Sequence, residues 1–176
     1  MEALKKVLAD FEGLEVPSGL QVYRGAEVDI TEAGYLPGLE KLKEELGLDY
    51  VIGSVHEGRK EGATEEEYIA RQFELMMKVL QEPGPIDILG HPWGGRSLDK
   101  VPEDMLRNLL SRAAAVGVAV ELSARFGAGE ADLKLLVERA LEAGAKLAPA
   151  SDAHTYDHLG ETAELQPILE QAGVQD

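Results

Sequence analysis

Residues 148–154 read Ala-Pro-Ala-Ser-Asp-Ala-His, which places an aspartate and a histidine two residues apart as a short apolar run ends. Three other strand-like segments also end in a residue of a type that binds metal ions. Glu27 ends the first of them, His56 the second and His91 the third. Because loops at the C-terminal ends of parallel strands converge on one face of a barrel, these positions predict a metal site around one end of a barrel.

Short β-rich runs alternate with amphipathic helical runs along the chain. This alternation predicts an α/β protein built of βα units, with a parallel sheet or barrel. Thr64 and Glu67 form the pattern of a capping box at one helix start. We expect strands at residues 22–30, 50–57, 86–91, 118–123 and 146–150. We expect helices at residues 2–11, 39–46, 64–80, 102–117, 130–143 and 161–171.

Composition limits the classes of function. The 176 residues include 17 Lys and Arg against 33 Asp and Glu, and the resulting net charge of −16 would repel nucleic acid. There is no cysteine, so any metal ligands must be His, Asp or Glu. No apolar run approaches the roughly 20 residues of a membrane span, and the first residues lack the apolar region of a signal peptide. We therefore expect one soluble, cytoplasmic domain over residues 1–176, with no membrane partner.

The alternative interpretation of each candidate ligand is an ordinary polar residue in a βα turn, which is the better interpretation of any lone histidine. Five such residues at strand ends weaken that alternative, since three of the four histidines are among them. The fourth, His158, follows Tyr-Asp and is better interpreted as part of a solvated loop. The five candidate ligands are Glu27, His56, His91, Asp152 and His154.

A ligand set of nitrogen and oxygen atoms suits zinc, manganese or iron. Bound metal lowers the pKa of its water and yields hydroxide near neutral pH, so the predicted chemistry is hydrolysis. Ser54 and Ser151 lie beside candidate ligands, but no Gly-x-Ser-x-Gly elbow is present and both are interpreted as turn residues. Residues 90–95 are glycine-rich but lack a Walker lysine, which excludes a nucleotide P-loop.

Four segments resemble the polymerase and histidinol phosphatase family, known as PHP domains. Their order and spacing agree with the family, and the resemblance covers nearly everything after about residue 21. It implies a distorted (β/α)7 barrel that holds one to three divalent transition metal ions and hydrolyses a phosphate ester. The matching segments are residues 24–30, 49–56, 87–92 and 151–154.

The resemblance also implies roles for the candidate ligands. Glu27, His56 and His91 would form one metal position, and Glu27 would bridge to a second that Asp152 also ligates. His154 would belong to a third metal position. We take Asp152 and His154 as the catalytic residues of a metal-dependent phosphoric monoester hydrolase.

Histidinol-phosphatase-type members of the family need cationic groups for the phosphate of a small phosphorylated substrate. Arg59, Arg96 and Arg125 follow strand ends, where a guanidinium fork binds phosphate oxygens in pairs. Solvation at the surface is the alternative for each arginine. Residues 87–92 and the glycine and arginine after them also resemble PHP domains attached to bacterial family X DNA polymerases, although the charge disfavours DNA.

The chain departs from the family pattern at its beginning. Family members begin with a strand that carries a His-x-His pair and a second strand that ends in Asp-His, and this chain has neither. We therefore expect an incomplete barrel of about five βα units. An open sheet exposes unpaired backbone groups and apolar faces, so we also expect a homo-oligomer. The alternative function is a degenerate or partial PHP module that binds metal weakly and has a structural or interaction role.

Overall fold

The structure is a computed structural model that describes residues 15–35, 37–123, 125 and 129–174, together with Lys6 and Ala9. In the described chain, five parallel strands form one sheet in the order β1-β2-β3-β4-β5. The strands are Gly25–Asp29 (β1), Tyr50–Ser54 (β2), Ile88–Leu89 (β3), Ala119–Ser123 (β4) and Leu147–Ala150 (β5). The helices are Leu39–Leu46 (α1), Glu65–Val79 (α2), Glu103–Val116 (α3), Glu130–Ala143 (α4) and Gln166–Gln171 (α5).

Each predicted strand is present, but the strands are shorter than the apolar runs that predict them. Of residues 86–91 only Ile88–Leu89 is strand, although the Gly90 N–H still donates to the Gly53 carbonyl at 2.9 Å. Residues 55–57 continue beyond β2 as irregular chain. Val55 and Ile86 are buried in the core although they lie outside the paired residues of β2 and β3, so an apolar run can extend beyond its strand.

The helices follow their predicted starts and stops with one exception. The capping box is confirmed: the Thr64 side chain accepts from the Glu67 N–H at 3.1 Å, and the Glu67 carboxylate accepts from the Thr64 N–H at 2.8 Å. The prediction of a helix from residue 161 is wrong, since α5 begins only at Gln166, with Pro167 in its first turn. The helix predicted at residues 2–11 lies outside the described residues except for Lys6 and Ala9, which are helical.

The two faces of the sheet have different environments. Strand residues on one face are buried in the core with helical residues such as Leu109 and Leu110. The other face lines an open cavity of about 400 Å³, with Ile52, Ile88 and Glu121 among its lining residues. Since this face is not fully covered by the described chain, the expected homo-oligomer stays a prediction. No helix in the described part of the chain is long and apolar enough to cross a membrane.

Candidate metal centre

Glu27, in the middle of β1, meets His56 and His91, which lie just beyond the carboxyl ends of β2 and β3. Glu27 lies within β1, while His56 and His91 each follow the last residue of their strands by two positions. Glu27 Oε1 is 3.4 Å from His56 Nε2 and 3.1 Å from His91 Nε2. All three ligand atoms lie within 4.8 Å of one another. Ligand atoms around a tetrahedral zinc ion are about 3.3 Å apart, so the three side chains fit such an ion.

Asp29 orients His56 and was not among the residues predicted from the sequence. Its Oδ1 lies 2.6 Å from His56 Nδ1, so the carboxylate accepts from Nδ1–H and leaves the Nε2 lone pair directed to Glu27. Asp29 lies two residues after Glu27 on the same strand, and alternate strand residues share a face. The Glu-Val-Asp spacing was therefore the signal that could have identified Asp29.

Replacing Asp29 by alanine should weaken metal binding without unfolding the protein. We expect zinc affinity to fall by about 10–100-fold, because a carboxylate that holds a ligating histidine fixes its tautomer and ring orientation. Competition titration of the metal-free protein with a chromophoric chelator measures the affinity. Asp104→Ala removes the same charge from an exposed position in α3 and should leave affinity unchanged. Equal affinity in Asp29→Ala and the wild type would contradict the orienting role.

Asp152 and His154 line a cleft of about 330 Å³ that Glu27, His56 and His91 also line. The Asp152 backbone has φ 45°, in the left-handed region, and its buried Oδ2 has no hydrogen-bond partner among the described residues. An unpartnered buried carboxylate oxygen is costly unless a cation or donor faces it. Asp152 therefore also fits a role as a metal ligand, although it is not part of the group formed by Glu27, His56 and His91.

His154 is exposed at the rim of the cleft and contacts Arg125. Its Nδ1 lies 2.8 Å from an Arg125 guanidinium nitrogen and 2.9 Å from the Asp152 carbonyl oxygen. Nδ1 accepts from the arginine in one tautomer of the ring and donates to the carbonyl oxygen in the other, so the two contacts belong to different tautomers. His158 instead pairs with Glu161 at 2.6 Å on the surface, in line with its interpretation as part of a loop.

The three candidate phosphate-binding arginines occupy different environments. Arg96 lines the cleft, lies over the Tyr68 ring at 4.0 Å and has its Nε 3.8 Å from a Glu65 carboxylate oxygen. Arg125 reaches the cleft through His154. Arg59 is exposed and is not among the residues that line the cleft. The structure thus places Arg96 in the lining of the cleft and Arg125 in contact with His154 at its rim, whereas Arg59 has neither position.

Glu121 is a second residue at this site that was not predicted from the sequence. It lies in β4, is 6% exposed, and its Oε2 accepts from the His91 N–H at 2.8 Å. Burial raises the pKa of the Glu121 carboxyl, although the hydrogen bond from His91 opposes that rise. The available signal was a single charged residue within an apolar strand, Val-Ala-Val-Glu-Leu at residues 118–122.

Comparison with known proteins finds that the chain is similar to probable phosphatases. No family model matches the chain. The chain is 30% identical over 163 residues to probable phosphatases from Thermoanaerobacter sp. (strain X514) and Thermoanaerobacter pseudethanolicus (strain ATCC 33223 / 39E). The match covers 89% of the chain, and the chain spans 62% of the length of these relatives.

A solved structure has the same fold. It is the histidinol phosphate phosphatase of Lactococcus lactis, in complex with zinc, L-histidinol and phosphate. The TM-score is 0.66 at 16% sequence identity, and the match covers 99% of this chain and 73% of the other. The chain therefore has a PHP-like fold, and its single five-stranded parallel sheet is consistent with the incomplete barrel predicted from the sequence.

Proposed function

We propose that the chain belongs to the PHP family and is a metal-dependent phosphoesterase, similar to histidinol phosphatase, that hydrolyses a small phosphate monoester. The observation that carries this proposal is the Glu27, His56 and His91 cluster, whose ligand atoms lie within 4.8 Å of one another, with Glu27 3.1 and 3.4 Å from the two imidazoles. The names of the similar proteins, which are probable phosphatases, support the same class of activity.

In this proposal the protein holds a zinc, manganese or iron ion through Glu27, His56 and His91, and Asp152 contributes to a neighbouring position. When bound, such ions lower the pKa of a water molecule to supply hydroxide near neutral pH. Asp29 keeps His56 in its ligating tautomer by accepting from Nδ1–H. The cleft of about 330 Å³ matches the smaller end of sites that enclose small molecules.

Two arginines are proposed to bind the substrate phosphate. The Arg96 guanidinium is restrained by the Tyr68 ring and by Glu65, which reduces the conformational entropy that it loses on binding. Arg125, which lines a pocket together with Arg96 and His91, would bind a second phosphate oxygen. Guanidinium groups bind phosphate in pairs of hydrogen bonds, so the two would fix the orientation of the ester.

His154 is proposed to act on the leaving group. In the tautomer whose Nδ1 accepts from Arg125 the proton is on Nε2, and this N–H at the rim of the cleft can donate to the leaving alkoxide oxygen. Asp152 is the proposed ligand through which a second ion would join the site, since its buried Oδ2 has no partner among the described residues.

A second candidate function is a partial PHP module that binds metal weakly and has a structural or interaction role. The observation that favours it is the sequence itself, which contains no His-x-His pair. Two-metal hydrolysis requires both ions to be placed, so the loss of ligands at one position would remove much of the rate.

Hydrolysis of histidinol phosphate and p-nitrophenyl phosphate by the metal-loaded protein separates the two candidates. We expect slow turnover that requires added metal, stops on chelation and falls at least about 100-fold in Asp152→Ala, because a two-ion clamp loses one of its ligands. Asp157→Ala, an exposed change in the same loop, should retain turnover. Metal binding without any turnover would contradict the phosphoesterase and support the structural module.

A further inference from the structure

The backbone of the His91 loop is held in an uncommon conformation. His91 has φ 21° and Trp93 has φ 59°, and both values lie in the left-handed region that residues with a Cβ rarely adopt. Such conformations persist only where the surrounding structure enforces them. Trp93, which is 1% exposed, anchors the loop in the core on one side. A second restraint is needed where the chain leaves β3.

Glu121 provides that restraint at the last point of contact between β3 and β4. The parallel pairing of the two strands ends at Leu89 and Val120, so no further backbone carbonyl of β4 pairs with the chain beyond β3. The Glu121 carboxylate accepts the His91 N–H instead, at 2.8 Å. A buried N–H without an acceptor would cost about 1–3 kcal/mol. The Glu121 carboxylate therefore supplies the acceptor that a backbone carbonyl would supply if the strand pairing continued.

The path of the chain at Gly90 is also restricted, because side chains of β2 and β4 lie close to it on both sides. A Cβ built on Gly90 would lie 2.1 Å from Ser54 Oγ and 3.3 Å from Glu121 Oε2. The loop therefore lies between the side chains of β2 and β4, with the Glu121 carboxylate on one side. His91 itself is 9% exposed, so its imidazole has little room to compensate for a shift of its backbone.

We propose that Glu121 is a positioning residue for the metal centre: it holds the His91 backbone so that His91 Nε2 stays beside Glu27 Oε1, a role that rests on the proposed metal binding at this cluster. In this role Glu121 acts through the His91 N–H, while its other carboxylate oxygen, Oε1, is buried without a hydrogen-bond partner among the described residues. The acceptor oxygen, rather than the negative charge, is what the role requires. A glutamine at the same position retains such an oxygen.

Zinc and cobalt titrations of three variants test this role. We expect Glu121→Leu to weaken zinc binding by about 10–100-fold and to change the visible absorption spectrum of the cobalt form, which reports the geometry of the ligands. Glu121→Gln should stay within about threefold of the wild type in zinc affinity, with an unchanged cobalt spectrum. Leu122→Ala, a buried neighbour in the same strand, should lower stability while zinc affinity is retained.

Several results would overturn the positioning role. Wild-type zinc affinity in Glu121→Leu would show that His91 needs no such restraint, and equal losses in Glu121→Leu and Glu121→Gln would show that charge is what matters. A comparable loss in Leu122→Ala would reduce the effect to general destabilisation. A wild-type protein that binds no zinc would instead overturn the proposed metal centre, and the positioning role with it.

Discussion

Alanine in place of both His56 and His91 should abolish zinc binding at the Glu27 cluster at micromolar metal concentrations. Zinc sites with four protein ligands bind with about 10–16 kcal/mol, so each ligand carries roughly 3 kcal/mol. Loss of two ligands then lowers affinity by more than about 1,000-fold. Elemental measurement of zinc after equilibration and desalting gives the number of ions per chain in the wild type and the variant.

His158→Ala is the matched control for this variant. It removes a histidine that pairs with Glu161 at the surface rather than with Glu27, so zinc binding should be unchanged. The same zinc content in the double variant and in the wild type would show that the metal lies elsewhere, and the assignment of the centre would be wrong. Circular dichroism of both variants would confirm that each retains its helices.

Replacing Trp93 by alanine should have the largest effect on stability, about 3–5 kcal/mol, because a large buried aromatic side chain leaves a cavity behind. Trp93 is 1% exposed and belongs to the hydrophobic core. Its Nε1–H also donates to the Ile69 carbonyl in α2 at 3.3 Å. Since Trp93 lies two residues after His91, the variant should also bind zinc more weakly.

Urea unfolding followed by far-ultraviolet circular dichroism measures the loss, since Trp93 is the only tryptophan and its removal eliminates the usual fluorescence signal. Tyr156→Ala is a control at an aromatic residue that is 92% exposed, and its free energy of unfolding should stay within about 0.5 kcal/mol of the wild type. A loss below about 1 kcal/mol in Trp93→Ala would contradict the anchoring role of the tryptophan.

The order of strands and helices could be predicted from the sequence because it depends on local patterns. These patterns are the apolar runs, the capping box at Thr64 and Glu67, and the glycines at helix ends such as Gly117 and Gly144. Each of them affects only residues a few positions away in the chain. The meeting of Glu27, His56 and His91 was also predictable, since parallel strands bring their carboxyl ends together. Strand lengths were less predictable, because a residue belongs to a strand only if a neighbouring strand pairs with it, and that depends on distant parts of the chain.

By itself the sequence determined the α/β class, the five βα units and three candidate ligands that lie on or just after the first three strands. Tertiary structure alone decided which polar side chains serve those ligands. Asp29 accepts from His56, and Glu121 accepts from His91, while Arg59 is not among the residues that line the cleft with Arg96. These contacts join residues 27 to 30 positions apart, so a local pattern can mark Asp29 or Glu121 as unusual, but strand register and loop path decide which partner each one contacts.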